Sequence, residues 1–83
     1  MNKILISIYV PLLDKSYDVF IPINKKIGTI KKYLIDSINE LSDYSLGDNV
    51  KMNLYNKDDC KLYDSNIYIK NSNIVNGSVL MLL

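Results

Sequence analysis

No arginine, histidine or tryptophan occurs in the 83 residues, and there is a single cysteine. Each absence removes a class of chemistry. Without arginine there is no planar guanidinium fork to grip phosphate or guanine in two places at once. Without histidine the side chain best matched to proton transfer near neutral pH is gone. One cysteine and no histidine cannot make a zinc site, and Cys60 cannot pair within the chain. With no His or Arg beside it to form a thiolate, Cys60 is expected to be an inert, partly buried or edge thiol. The three glycines are isolated, so no phosphate-cradling loop can form. Net charge is +1, which gives no electrostatic case for nucleic acid or an anionic membrane.

Two further motifs reduce to turns. Asp58-Asp59 are adjacent carboxylates with nothing around them to raise a pKa. Asn76-Gly77-Ser78 matches a glycosylation sequon but serves as a turn in a cytosolic protein. No apolar run approaches the length of about 20 residues needed to span a bilayer. The opening "MNKILISIYVPLL" alternates as a strand does and lacks a small-residue cleavage site. A cytoplasmic protein with no catalytic, cofactor or metal site is therefore expected.

What is present is a core. Forty-eight per cent of residues are hydrophobic, enough for a single globular domain spanning residues 1–83. Residues 3–10, "KILISIYV", put Ile4, Ile6, Ile8 and Val10 on one face at period two and Leu5, Ser7 and Tyr9 on the other. Pro11 stops the ladder, and Asp14 and Ser16 form a turn. Residues 17–23, "YDVFIPI", turn Val19, Ile21 and Ile23 inward. Pro22 confines this strand to a sheet edge or requires it to end there.

The period then changes. Ile27, Ile30, Leu34, Ile38 and Leu41 recur at spacings of three and four, which predicts one helix face, with Lys31, Lys32, Asp36, Asn39 and Glu40 away from it. Its start is weakly marked: Asn24 or Lys26 must cap, and Gly28 lowers propensity. "SDYSLGDN" ends it by about residue 42. Residues 50–56 alternate with Val50, Met52 and Leu54 inward. "KDD" turns into "CKLY", a short edge strand anchored by Leu62. An Asn- and Ser-rich connection pinned by Ile69 and Ile74 leads to "SVLMLL", residues 78–83, a final apolar strand. The order is ββαβββ, a two-layer α+β domain with one helix packed on one face of a mixed sheet.

That order at this length resembles the ubiquitin-like β-grasp. The segment "YDVFIPINKKIGTIKKYLIDSI", with its Tyr-Asp-apolar-x-apolar-Pro strand and its Ile35-Asp36-Ser37-Ile38 step, is similar to the YukD-like (EsaB-like) ubiquitin-like proteins of type VII secretion systems in Gram-positive bacteria. So is Ile74-Val75-Asn76-Gly77 leading into Val79-Leu80-Met81-Leu82-Leu83. Lys26 departs from the family, where a capping residue or proline is common. Ser72 departs where ubiquitin-like proteins often carry a tyrosine whose hydrogen bond anchors the loop. The resemblance implies sheet order 2-1-5-3-4, with the closing strand central.

It also implies a non-enzymatic adaptor or regulator that contacts cytosolic parts of the secretion machinery, with no nucleic acid, no membrane span, and a homodimer allowed. Conjugated modifiers need a flexible Gly-Gly tail, and "NGSVLMLL" offers a strand instead. Truncation is therefore expected to unfold the domain. The alternatives are a β-grasp carrier or modifier activated at its C-terminus, and a nucleic-acid-binding β-grasp module using Lys25, Lys26, Lys31 and Lys32. For contact with a protein partner the alternation leaves Leu5, Tyr9, Phe20, Tyr55, Val79, Met81 and Leu83 on the outward sheet face.

Overall fold

A computed structural model describes residues 2–47 and 51–83. Strand β1, Lys3–Val10, and strand β2, Lys15–Pro22, form an antiparallel hairpin in which all eight positions pair. Pro11–Asp14 make the turn, and Asp14 adopts φ 51°, a left-handed conformation that Asp tolerates better than most residues. β2 begins two residues earlier than the apolar pattern suggests, and Pro22 sits at its end, where no ladder donor is lost. Helix α1 spans Ile27–Leu41, β3 spans Leu54–Asn56, a 3-10 turn spans Ile69–Asn71, and β4 spans Val79–Leu82. The sheet order is β2-β1-β4-β3, with β4 parallel to β1 and antiparallel to β3.

The α+β architecture follows the predicted pattern, with one strand reduced. "CKLY" contributes only the isolated bridge Tyr55–Leu62. The Asp58–Cys60 turn delivers Lys61 and Tyr63 back to β3, through Asn56 N–H to Lys61 O at 2.9 Å and Tyr63 N–H to Leu54 O at 3.0 Å. The Asp64 side chain then accepts the Asn66 amide and bends the chain away before a second rung forms. Leu62 is 59% exposed and is not a core anchor; paired with Tyr55, it faces out. Cys60 is exposed at this turn with φ 58°, not partly buried. Val50 lies outside the described residues.

Ile6, Ile8, Val10 and Ile21 from the hairpin meet Ile27, Ile30, Leu34 and Ile38 from α1, and Leu80 and Leu82 of β4 close the middle. Two helix positions depart from the periodic reading. Leu41 is 68% exposed: it is the last helical residue and projects past the sheet beside the Leu13–Lys15 turn. Asn39, expected in solvent, is 5% exposed. Its Nδ2 donates to Gly47 O at 2.6 Å and its Oδ1 accepts Leu46 N–H at 2.9 Å, which fastens the loop that drops Leu46 into the core.

The helix start is capped by backbone. Lys26 is the N-cap residue and its side chain makes no capping bond. Ile27 N–H donates to Ile67 O at 2.8 Å and Gly28 N–H to Ser65 O at 3.0 Å, so a distant loop fills two of the donors that every helix start leaves open. Ile69 N–H to Lys25 O and Lys70 N–H to Ile23 O continue the contact. This close approach explains Gly28: a Cβ there would lie 3.1 Å from Ser65 Cβ and 3.2 Å from its carbonyl oxygen. Ser72 anchors the next loop itself, donating to Ile69 O and accepting from Ile74 N–H, while Tyr63 Oη donates to Asn73 Oδ1. These side-chain bonds anchor the loop with serine at position 72.

Two substitutions test this packing by thermal or urea unfolding. Gly28→Ala should destabilise by about 1 kcal/mol, although alanine gains roughly that much in an open helix. Asn39→Ala should cost about 2 kcal/mol by leaving the Leu46 amide and the Gly47 carbonyl without their partner.

Candidate functional site: the outward face of the sheet

The helix covers one face of the sheet and leaves the other open, so the side chains of alternate parity define the only extended face not packed on α1 among the described elements. Register sets their neighbours. Leu5 lies opposite Phe20. Ser7 lies between Asp18 on β2 and Val79 on β4. Tyr9 lies between Ser16 and Met81, and Met81 lies next to Tyr55. One row thus reads Ser16-Tyr9-Met81-Tyr55 across all four strands, and the bridge adds Leu62 to its end. Leu83, paired with Asn53 through bonds of 2.8 and 2.9 Å, occupies the next outward position beyond β4.

All seven residues singled out from the alternation stand on this face, but they do not form one unbroken patch. Phe20 is 63% exposed and Leu83 54%, at opposite ends, whereas Tyr9, Tyr55 and Met81 are half-buried in the middle. A polar lane crosses between them. Ser7 Oγ donates to Asp18 Oδ1. The Lys57 ammonium reaches back from the turn after β3 and sits 5.1 Å from the Tyr9 ring centroid, within cation–π range.

Lys57 was not legible as a face residue, because the chain position after β3 gives no hint that its side chain crosses β4. Leu62, expected as the anchor of a short edge strand, belongs here through its bridge to Tyr55. Asn76 is a further missed contributor: its Oδ1 accepts the Leu5 amide at 2.8 Å, satisfying a β1 donor that lies beyond the start of β4.

Electrostatics at the site are mild. Tyr9 Oη donates to Asp14 Oδ1 at 3.1 Å. That bond, with lesser help from desolvation and the Asp14 charge, holds the phenol above its ordinary pKa of 10.0. Tyr63, away from this face, is also raised, chiefly by burial. Neither shift reaches a range useful for proton transfer near neutral pH. Among the described residues no group of three His, Cys, Asp or Glu side chains gathers as metal ligands.

An antiparallel hairpin, a helix across it, and a final strand inserted parallel to the first decide the fold. It is the ubiquitin-like β-grasp. No family model matches the sequence, and no curated protein matches it. Solved structures do. The ubiquitin-like domain of EccD5 from Mycobacterium xenopi superposes with TM-score 0.80 at 16% identity, covering 100% of this chain and 94% of that one. The ubiquitin-like domain of the Mycobacterium tuberculosis type VII secretion protein EccD1 gives TM-score 0.76 at 13% identity, covering 100% and 99%. A chain of the MycP5-free ESX-5 inner membrane complex gives TM-score 0.81 at 11% identity. This chain covers 21% of that one, about a fifth of its length. At these identities the likeness is one of fold.

The Tyr9–Asp14 bond can be tested directly. In Asp14→Gly, where glycine keeps the left-handed turn, the Tyr9 phenol should fall back toward about 10, its unperturbed value. Ultraviolet or NMR titration reads the change. Because the raised pKa favours the neutral phenol in the folded state, the bond's contribution is present below pH 10 and lost as pH rises through the shifted value.

Proposed function

We propose that this chain is a non-enzymatic ubiquitin-like component of a type VII secretion system, cytoplasmic in location, acting by protein–protein contact and not by conjugation. The observation that carries the proposal is the superposition on EccD ubiquitin-like domains at TM-scores of 0.76 and 0.80 over the whole of this chain. It agrees with the Tyr-Asp-apolar-x-apolar-Pro strand and the helix step in the sequence. Contact with the machinery of the inner membrane is the reading that the ESX-5 chain supports. No helix among the described residues is long and apolar enough to cross a membrane; in this reading the contact is with other subunits.

The contact surface in this reading is the outward sheet face, with Tyr9, Met81 and Tyr55 as its rigid centre and Leu5, Phe20, Val79 and Leu83 around it. Half-buried aromatic and methionine side chains are efficient anchors, because little conformational freedom remains to be lost on binding. Residues 79–83 are held in the sheet. Leu82 is fully buried, and Leu83 bonds to Asn53 through both its amide and its carbonyl. In this reading residues 79–83 are a strand of the fold and not themselves a mobile tail.

The double variant Tyr9→Lys, Met81→Lys puts two charges at the centre of the face without touching the core. It should keep its circular dichroism spectrum and lose co-purification with the type VII membrane machinery from the native host. Undiminished co-purification would rule the face out. Failure of the wild-type chain to capture any subunit of that machinery would rule out the secretion assignment.

A further inference from the structure

Asn76-Gly77 is the chain's single Asn-Gly step, and the fold ties the reactive groups of both residues to one residue of β1. Asn76 Oδ1 accepts the Leu5 amide at 2.8 Å, and Gly77 N–H donates to the Leu5 carbonyl at 2.7 Å. The two residues form the middle of a turn. Ser78 N–H closes it on Val75 O at 2.9 Å, and Val75 N–H donates to Ser78 Oγ at 2.9 Å. Both Asn76 and Gly77 are exposed, so water reaches them, whereas Leu80 in the strand that follows is buried in the core.

An Asn-Gly step carries its own electrophile and its own nucleophile. The Asn76 side-chain amide presents Cγ, and the Gly77 nitrogen follows with no Cβ to obstruct its approach. Once that nitrogen gives its proton to base, it attacks Cγ. The N–Cγ bond forms, the Cγ–Nδ2 bond breaks, and the amide group takes up a proton and leaves as ammonia. The product is a five-membered succinimide, which water opens at either carbonyl. Opening at Cγ leaves aspartate and the original main chain. Opening at the backbone carbonyl carbon leaves isoaspartate, whose main chain runs through Cβ and Cγ and is one atom longer. Water is consumed and ammonia released, and nothing is oxidised or reduced.

We propose that Asn76-Gly77 is a deamidation site gated by the β1–β4 seam, suppressed while the strands are paired and released when they part. In the closed fold the Gly77 proton is shared with the Leu5 carbonyl, and the nitrogen cannot give it to base and keep that bond. Closing the five-membered ring also draws Cγ and the Gly77 nitrogen together, which destroys the spacing that lets both bonds reach Leu5. The two groups come free only when the ladder Ser7–Val79, Ile8–Leu80, Tyr9–Met81 opens. The products then diverge. Aspartate keeps the chain length and an oxygen for the Leu5 amide. Isoaspartate inserts an atom between the contacts at Leu5 and the start of β4, so turn and ladder no longer share one register. The Tyr9–Met81 pair is lost with it. The site keeps a chemical record of seam opening, whichever partner the outward face meets.

The test follows the peptide 71–83, which trypsin releases after Lys70, by mass spectrometry with fragmentation that separates isoaspartate from aspartate. In mildly alkaline buffer the native full chain should deamidate at Asn76 at least about ten-fold more slowly than the same chain unfolded in guanidinium at equal pH, because the reaction waits on opening. Ile8→Val trims the residue paired with Leu80 and leaves the turn untouched. It should speed the native reaction several-fold and leave the unfolded rate unchanged. The isoaspartate form, separated from the aspartate form, should lose amide-exchange protection across β4 and melt at a lower temperature. Asn76→Asp should keep both near the wild type. Equal rates in the native and unfolded chains would overturn the proposal, as would a native rate unmoved by Ile8→Val or an unfolded chain that forms no isoaspartate. An isoaspartate form as stable and as protected as Asn76→Asp would overturn the predicted loss of register.

Discussion

Three residue pairs hold the two halves of the sheet together. Ser7–Val79, Ile8–Leu80 and Tyr9–Met81 form the short parallel ladder between β1 and β4, and almost everything else depends on it. The N-terminal half supplies a complete hairpin and helix, but its core is open along one side of β1. β4 fills that side with Leu80 and Leu82, both at 1% exposure or less, and gives β3 an edge to pair with. Parallel pairing between strands so far apart in sequence has a high entropic cost before it gains contacts. Two local devices support it: Asn76 accepts the Leu5 amide, and Gly77, at φ 91°, donates to the Leu5 carbonyl at 2.7 Å. Only glycine holds that backbone angle without strain.

A second seam runs at the other end of the helix. Residues 65–70 lie against residues 23–28 and carry out, with carbonyls, the capping that sequence usually assigns to a side chain. The helix start and the connection to β4 are therefore one structural unit. This accounts for three otherwise unrelated features: a lysine at the N-cap, a glycine in the first turn, and an irregular Asn-rich loop that is nonetheless tightly bonded.

Strand faces and the main helix stripe were legible because alternation and the three–four spacing are set by local geometry, which a sequence displays directly. Ile6, Ile8, Ile21, Leu34 and Leu80 all fall where their period puts them. The failures are places where distant segments decide. Leu41 keeps helical phase but has no sheet beneath it. Asn39 is buried because a loop seven residues on needs both ends of its amide. Leu62 has strand propensity, yet Asp64 turns the chain before a strand can form. On the outward face the apolar residues were legible by parity, whereas the Ser7–Asp18 bond and the Lys57 ammonium over Tyr9 required the register and the fold.

These seams give the outward face its character. Tyr9, Met81 and Tyr55 come from three strands and are fixed beside one another by the same ladders that close the core, so the surface is as rigid as the sheet. The proposed function puts partner recognition on this face. The most direct measurement is site-specific photo-crosslinking in the native host, with the reactive group placed at Met81 on the outward face or at Asp36 on the exposed side of the helix. The account predicts a discrete adduct with a subunit of the type VII machinery from position 81 and none from position 36. Equal adducts from both positions, or an adduct from the helix alone, would contradict it.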